Sequence, residues 1–183
     1  MSAELSRFQK LSDDFSARVA ATPDDAWGNQ SPCDEWTARG VVEHCVNNMH
    51  RLAAGATDTE PATMADDEEP KHAWPAAYAK AVDAMSQPGA LDKTVPGPMG
   101  MQMTMAQMLG RFICNDMLVH TWDLARSVGG DEQLDAEAVA AAYSGLKPMD
   151  AMIRMPGVFG AKADCADDAD EQTQFLAFLG RKV

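Results

Sequence analysis

The stretch FICNDMLVHTWDLAR, residues 112–126, decides how this chain is read. Phe112, Ile113, Met117, His120 and Leu124 recur at helical spacing, continued by Met108 and Leu109 before them and Val128 after, which is the period of a buried helix face. The pattern predicts a helix from near Thr104 to Gly129, the longest and most apolar of the chain. Asp116 and His120 break its chemistry. At about 100° per residue they lie about 40° apart and meet as i and i+4 neighbours. An ionised carboxylate beside Leu109, Phe112, Ile113 and Met117 loses hydration, so it needs charge-assisted partners or a metal ion. A carboxylate and an imidazole one turn apart supply two adjacent metal ligands, but the same spacing also forms a local hydrogen bond on many helices. Spacing alone leaves both readings open.

The rest of the chain reads outward from this helix. Leu5, Phe8, Leu11, Phe15 and Val19 predict a first helix over about residues 3–21. PDDAWGNQSPCDEW, residues 23–36, is an ordered loop whose Trp27 and Trp36 are expected to bury against the bundle, with Thr37 as the next N-cap. Val41, Cys45, Met49 and Leu52 predict a second helix ended by Gly55, with His44 at the edge of the stripe. ATDTEPATMADDEEP, residues 56–70, is acidic and aperiodic, a solvated connection. A third helix over 71–87 passes through Trp74, Tyr78, Val82 and Met85, and the Pro/Gly-rich QPGALDKTVPGPMG crosses to the fourth. Beyond Gly130 come a helical stretch near 135–145, the irregular KPMDAMIRMPGVFG and a capped terminal helix in DDADEQTQFLAFLG. Without strand–helix alternation the prediction is all-α: a single domain formed by a four-helix bundle over about 3–145 and a short C-terminal extension over about 146–183.

Of 183 residues, 46% are hydrophobic, enough for a real core, while 28 acidic against 15 basic residues give a net charge of −13. Clustered Lys and Arg for phosphate are absent, so nucleic acid and anionic membranes are excluded as partners and a small-molecule substrate is expected. No run of 18 apolar residues occurs and the N-terminal stretch lacks a signal-peptide core, which predicts a cytoplasmic protein. Cys33, Cys45, Cys114 and Cys165 lack CxxC spacing and read as reduced thiols. Exposed helix faces are compatible with a homodimer.

A facing helix can complete a metal site in such a bundle, and His44 is the best-placed candidate. His50 lies about 120° from His44 around the second helix, and His72 follows the acidic linker, so both are expected at the surface. Asp123 can accept the unused N–H of a ligating imidazole. Arg126, nearly one turn on, can pair with Asp123 or face an acidic substrate. Cys45 points about 100° from His44 and reads as a core thiol. Cys33, partly exposed in its loop, has no basic neighbour in sequence to activate it, so a redox or nucleophilic role is open but disfavoured. The methionines of PMGMQMTMAQM are expected to fill core space, and Arg154 with MPGVFG to cover the mouth of the site.

SPCDEWTARGVVEHCVNN (31–48) followed by DMLVHTWDLARSVG (116–129) resembles the actinobacterial members of the DinB/YfiT-like superfamily, the N-terminal domain of mycothiol-dependent maleylpyruvate isomerase being the relevant relative. The likeness extends to the PGALDKTV connector and the closing QFLAFLGRK. The resemblance implies a four-helix bundle holding a divalent metal through one histidine of the second helix and a carboxylate-x-x-x-histidine pair of the fourth, positions that match His44, Asp116 and His120. The isomerase pattern has glutamate where this chain has the shorter Asp116. Three protein ligands leave room for water or substrate, and two His with one carboxylate suit zinc while admitting nickel, iron or manganese. The resemblance further implies a low-molecular-weight thiol such as mycothiol or bacillithiol, hence a metal-dependent thiol S-transferase or isomerase; acidified water would make the chemistry hydrolytic instead. The competing readings are a non-catalytic metal- or ligand-binding bundle, and a bundle that binds no metal and keeps Asp116 and His120 as an ion pair.

Overall fold

The computed structural model describes residues 2–97, 100–154 and 159–183, and the chain divides into two compact units, one running to Asp131 and one from Glu132 to Val183. In the first, α1 (Ala3–Ala21) starts where Leu5 N–H donates to Ser2 Oγ at 3.1 Å, and α2 (Ala38–Thr57) where Gly40 N–H donates to Thr37 Oγ1 at 3.3 Å, the cap expected of Thr37. α3 (Pro70–Met85) opens on a proline, whose missing N–H costs nothing at a first turn. The apolar stripe of α1 is wholly buried, and α1 and α2 each pack against α3 and against α5 (Cys114–Val128). Trp74 stands at the centre of the α1–α3 contact, 1% exposed, its ring edge-on to Phe15 at 4.6 Å and its Nε1–H donating to Ser16 Oγ at 2.8 Å.

Helix α2 does not stop at Gly55. It runs to Thr57 and is capped by Asp58 in the left-handed region, at φ 56°. Gly55 answers to packing instead, since a Cβ there would lie 3.0 Å from Met105 Cε and 3.3 Å from Val95 Cγ1. The acidic connection is largely exposed, as expected, yet it is pinned. Arg39 donates to the carbonyls of Ala65, Asp66 and Glu68, and Met64, which is buried, donates its N–H to Asn47 Oδ1.

The fourth helix follows Thr104, as its period predicts, through a reciprocal capping box with Gln107. It is not uniform: α4 (Met105–Met108) passes through a π turn (Leu109–Ile113) into α5, which Gly129 ends at φ 65°. Apolar spacing cannot separate an α turn from a π turn of five residues. Asp116 and His120 both lie in α5, so their i,i+4 relation survives. The Pro/Gly connector contains a two-stranded antiparallel hairpin, β1 (Thr94–Pro96) and β2 (Gln102–Thr104), with buried Val95 opposite buried Met103. Three-residue strands are too short for a periodicity signal. Met103 and Met105 are buried, Met108 is half-buried and Met101 is exposed, while Met99 falls outside the described residues. Trp27 and Trp36 are half-buried, and the tryptophans of the core are Trp74 and Trp122.

The second unit holds α6 (Ala136–Leu146), α7 (Asp150–Ile153) and α8 (Glu171–Phe178); α6, which the sequence groups with the bundle, packs here on α8 through Tyr143, 6.1 Å from Phe175 and 5.5 Å from Phe178. Asp135 and Asp170 cap the two longer helices. Arg154 is held inside this unit by Asp150, the Gly160 carbonyl and the Phe178 carbonyl, and residues 155–158, where a cover for the site was expected, lie outside the described residues. Gly180, at φ 86°, approaches Ala161 so closely that a Cβ would stand 2.6 Å from its carbonyl oxygen. Among the described residues no helix is long and apolar enough to cross a membrane.

Candidate metal centre

The packing of α2 on α5 brings His44 to Asp116 and His120. His44 Nε2 lies 3.1 Å from Asp116 Oδ2, and His120 Nε2 lies 3.3 Å from Asp116 Oδ1, so the carboxylate stands between two imidazoles from two helices. One donor atom from each of the three lies within 4.8 Å of the others. The side chains of His44 and Asp116 are 27% and 28% exposed and that of His120 is 6% exposed, so the cluster has an open side and a buried side.

The buried side is built by Asp123 and a loop. His120 Nδ1 lies 2.9 Å from Asp123 Oδ2, and Asp123 is fully buried, in the partnership expected for it. Cys33 Sγ lies 3.5 Å from the same oxygen and can donate its S–H there. The fold thus gives Cys33 surroundings that its sequence neighbours do not announce. Its basic neighbour is 87 residues away in sequence and supplied by the fold, with Cys33, His120 and Asp123 forming a second cluster of donor atoms within 4.8 Å. From the same loop, Trp36 covers both imidazoles, with its ring 4.6 Å from His44 and 5.5 Å from His120. The loop tryptophan is thus a wall of the site.

On the open side, Asn48 is a residue that sequence reasoning missed. It follows His44 by one turn, donates from Nδ2 to Asp116 Oδ2 at 2.7 Å, and sits 3.0 Å from His44 Nε2, while Arg51 donates to its Oδ1 at 2.6 Å. The signal was present: His44, Asn48 and Arg51 stand at i, i+4 and i+7, one face of a helix. Arg126 is exposed and lies over the Trp122 ring at 5.3 Å. His72 is exposed, as expected; His50, also expected at the surface, is half-buried with its Nδ1 buried, and burial pushes the Cys45 thiol far above its ordinary range, as suits a core residue.

Charge explains why the cluster is stable. Burial opposes ionisation of Asp116, but the charge of His120 and hydrogen bonds with His120 and His44 outweigh it and hold the carboxyl well below the usual carboxylate range. Burial likewise opposes charge on His120, yet Asp116, with hydrogen bonds to Asp116, Asp123 and Cys33, raises its pKa well above 6.5. Without a metal, the flanking Asp116 and Asp123 side chains thus favour the protonated form of His120.

The donor set also fits a divalent cation. Two imidazole nitrogens and a carboxylate are donor types that a divalent cation takes, and one donor atom from each lies within 4.8 Å of the others. Asp123 holds the His120 Nδ1–H, which aims Nε2 at the shared centre. Asp123→Asn is therefore expected to weaken zinc binding about 10- to 100-fold while leaving the helical circular-dichroism signal intact, as read by competition with a chromophoric chelator. Unchanged affinity would remove Asp123 from the site.

The family model described as mycothiol maleylpyruvate isomerase N-terminal domain matches residues 8–125, a span that contains all of these side chains up to Asp123. Two uncharacterized proteins of Mycobacterium tuberculosis, from strains CDC 1551 and H37Rv, are each 31% identical over 185 residues, covering 98% of this chain and 98% of theirs. Among solved structures, a mutant of the mycothiol-dependent maleylpyruvate isomerase superposes with a TM-score of 0.61 at 13% identity, covering 83% of this chain and 68% of that one, a likeness of fold.

Proposed function

This chain belongs to the mycothiol maleylpyruvate isomerase N-terminal domain family, and from that premise we propose that it is a metal-dependent enzyme that uses a low-molecular-weight thiol, of the mycothiol type, for isomerisation or transfer on a small molecule. The observation that carries this reading is the convergence of His44, Asp116 and His120 around one point with an open side. These three residues would hold the cation, zinc before nickel, iron or manganese. Bound there, it would supply Lewis acidity that lowers the pKa of a thiol at the open position.

The chain's own residues prepare that chemistry. Asp123 keeps His120 in one tautomer, Asn48 fixes the Asp116 carboxylate by donating to Oδ2, and Trp36 shields the two imidazoles from water on one face. Asp116 is one methylene shorter than the glutamate of the isomerase pattern, so the proposal extends to the reaction class and not to maleylpyruvate itself.

The test begins with elemental mass spectrometry of the untagged protein, followed by cobalt substitution and titration with the neutral thiol 3-mercapto-1-propanol. Near-stoichiometric metal and a new sulfur-to-cobalt charge-transfer band are expected. A protein that neither carries metal nor takes up added zinc, nickel, iron or manganese refutes the proposal. Metal uptake with no thiol band would favour a non-catalytic metal-binding bundle.

A further inference from the structure

We infer that Arg51 is the docking point for a carboxylate, so that the small molecule occupying this site is an anion held with its carboxylate on Arg51 and its reacting end at the His44–Asp116–His120 cluster. The inference rests on the reading of that cluster as the functional centre and adds the chemistry of its ligand.

Arg51 is exposed, two turns along α2 from His44, and its Nη1 donates to Asn48 Oδ1 at 2.6 Å. Asn48 in turn touches both Asp116 and His44. The guanidinium is thus one amide side chain removed from Asp116 and His44, both of which are partly exposed. Arg18, Lys71 and Lys93, by contrast, meet Asp131, Asp24 and Asp58, and Arg39 meets backbone carbonyls. Among the described residues no carboxylate stands within ion-pair range of Arg51, and its one hydrogen bond leaves most of its five N–H donors free for a planar oxyanion.

An arginine used only for solubility would have no reason to be oriented by a buried amide that also orients a ligand carboxylate. The spacing of His44, Asn48 and Arg51 makes one face of α2 read from centre to anion dock.

The test compares two thiols that differ only in the far end, 3-mercaptopropionate and 3-mercapto-1-propanol, on the cobalt-substituted protein, in wild type, Arg51→Gln and Arg51→Lys. Wild type is expected to bind the acid about tenfold more tightly than the alcohol, a preference that falls as salt rises. Arg51→Gln should abolish the preference without weakening the alcohol, and Arg51→Lys should keep part of it. A preference that survives Arg51→Gln would mean the carboxylate chelates the cobalt, and would overturn the inference, as would no preference in wild type. A second arm needs neither cobalt nor thiol: succinate is titrated calorimetrically into the protein as purified. Saturable binding lost in Arg51→Gln supports the inference even if the thiol reading has failed, and assigns the carboxylate to the substrate. Silence in both arms overturns it.

Discussion

His120→Ala is expected to lose zinc affinity by at least about a hundredfold and, metal-free, to be roughly 3–5 kcal/mol less stable than wild type. The ring contacts both Asp116 and Asp123 through its two nitrogens, at 3.3 and 2.9 Å. Removing it takes the imidazole from the fully buried Asp123 and one of two imidazoles from Asp116. His44→Ala should cost less stability, since that side chain is 27% exposed and water can replace it. Equilibrium dialysis against zinc and urea melts in chelator measure the two effects. A His120→Ala protein that binds zinc as wild type does would place the metal elsewhere.

The same ring sets a pH dependence whose sign reverses with metal. In the metal-free protein His120 holds its proton more tightly folded than unfolded, so its contribution is fully present below 6.5 and is lost as pH rises through the elevated folded value. Asp116 has the opposite sense: its depressed pKa contributes stability above 3.8 and loses it as pH falls below that value. The contribution of the pair is therefore greatest between about 3.8 and 6.5 and declines on the alkaline side. Zinc must displace the proton on Nε2, so its affinity should rise about tenfold per pH unit over 6 to 8 with release of a proton. Melts from pH 5 to 9 in chelator, set against zinc titrations in the same buffers, read both slopes. A flat zinc affinity would contradict the charged state assigned to His120.

The second large effect lies far from this chemistry. Trp74→Ala is expected to destabilise the protein by about 3–5 kcal/mol, lowering the melting temperature by roughly 10 °C, because a ring 1% exposed leaves a cavity between α1 and α3. Its stacking on Tyr78 at 5.5 Å and edge contact with Phe15 at 4.6 Å would both go, and Ser16 Oγ would lose a donor. Trp74→Phe should recover most of the loss and retain a deficit of about 1 kcal/mol for the missing indole N–H. Zinc stoichiometry at low temperature should be unchanged in both variants. A loss of metal uptake there would show that the centre depends on the α1–α3 contact as well as on α2 and α5.

Much of this molecule was legible residue by residue. The boundaries of α1 follow from Leu5 to Val19, the start of α2 from Thr37, and the start and end of the fourth helix from Thr104 and Gly129, because period and capping act within a few residues. His44, Asp116, His120 and Asp123 stood out for a related reason, as polar groups at positions where apolar ones are cheaper. The π turn, the short hairpin and the true reason for Gly55 did not, since each depends on what packs against it from a distant segment.

Local sequence determined the helices and which of their faces carried chemistry, through interactions that span at most two turns. Only the tertiary structure decided the surroundings of that chemistry. It laid the Cys33–Trp36 loop against the buried edge of His120 and set Asn48, which Arg51 holds, against Asp116. The reason is that a pairing across 68 to 90 residues leaves no periodic trace along the chain, and comes into being only when α2 packs on α5.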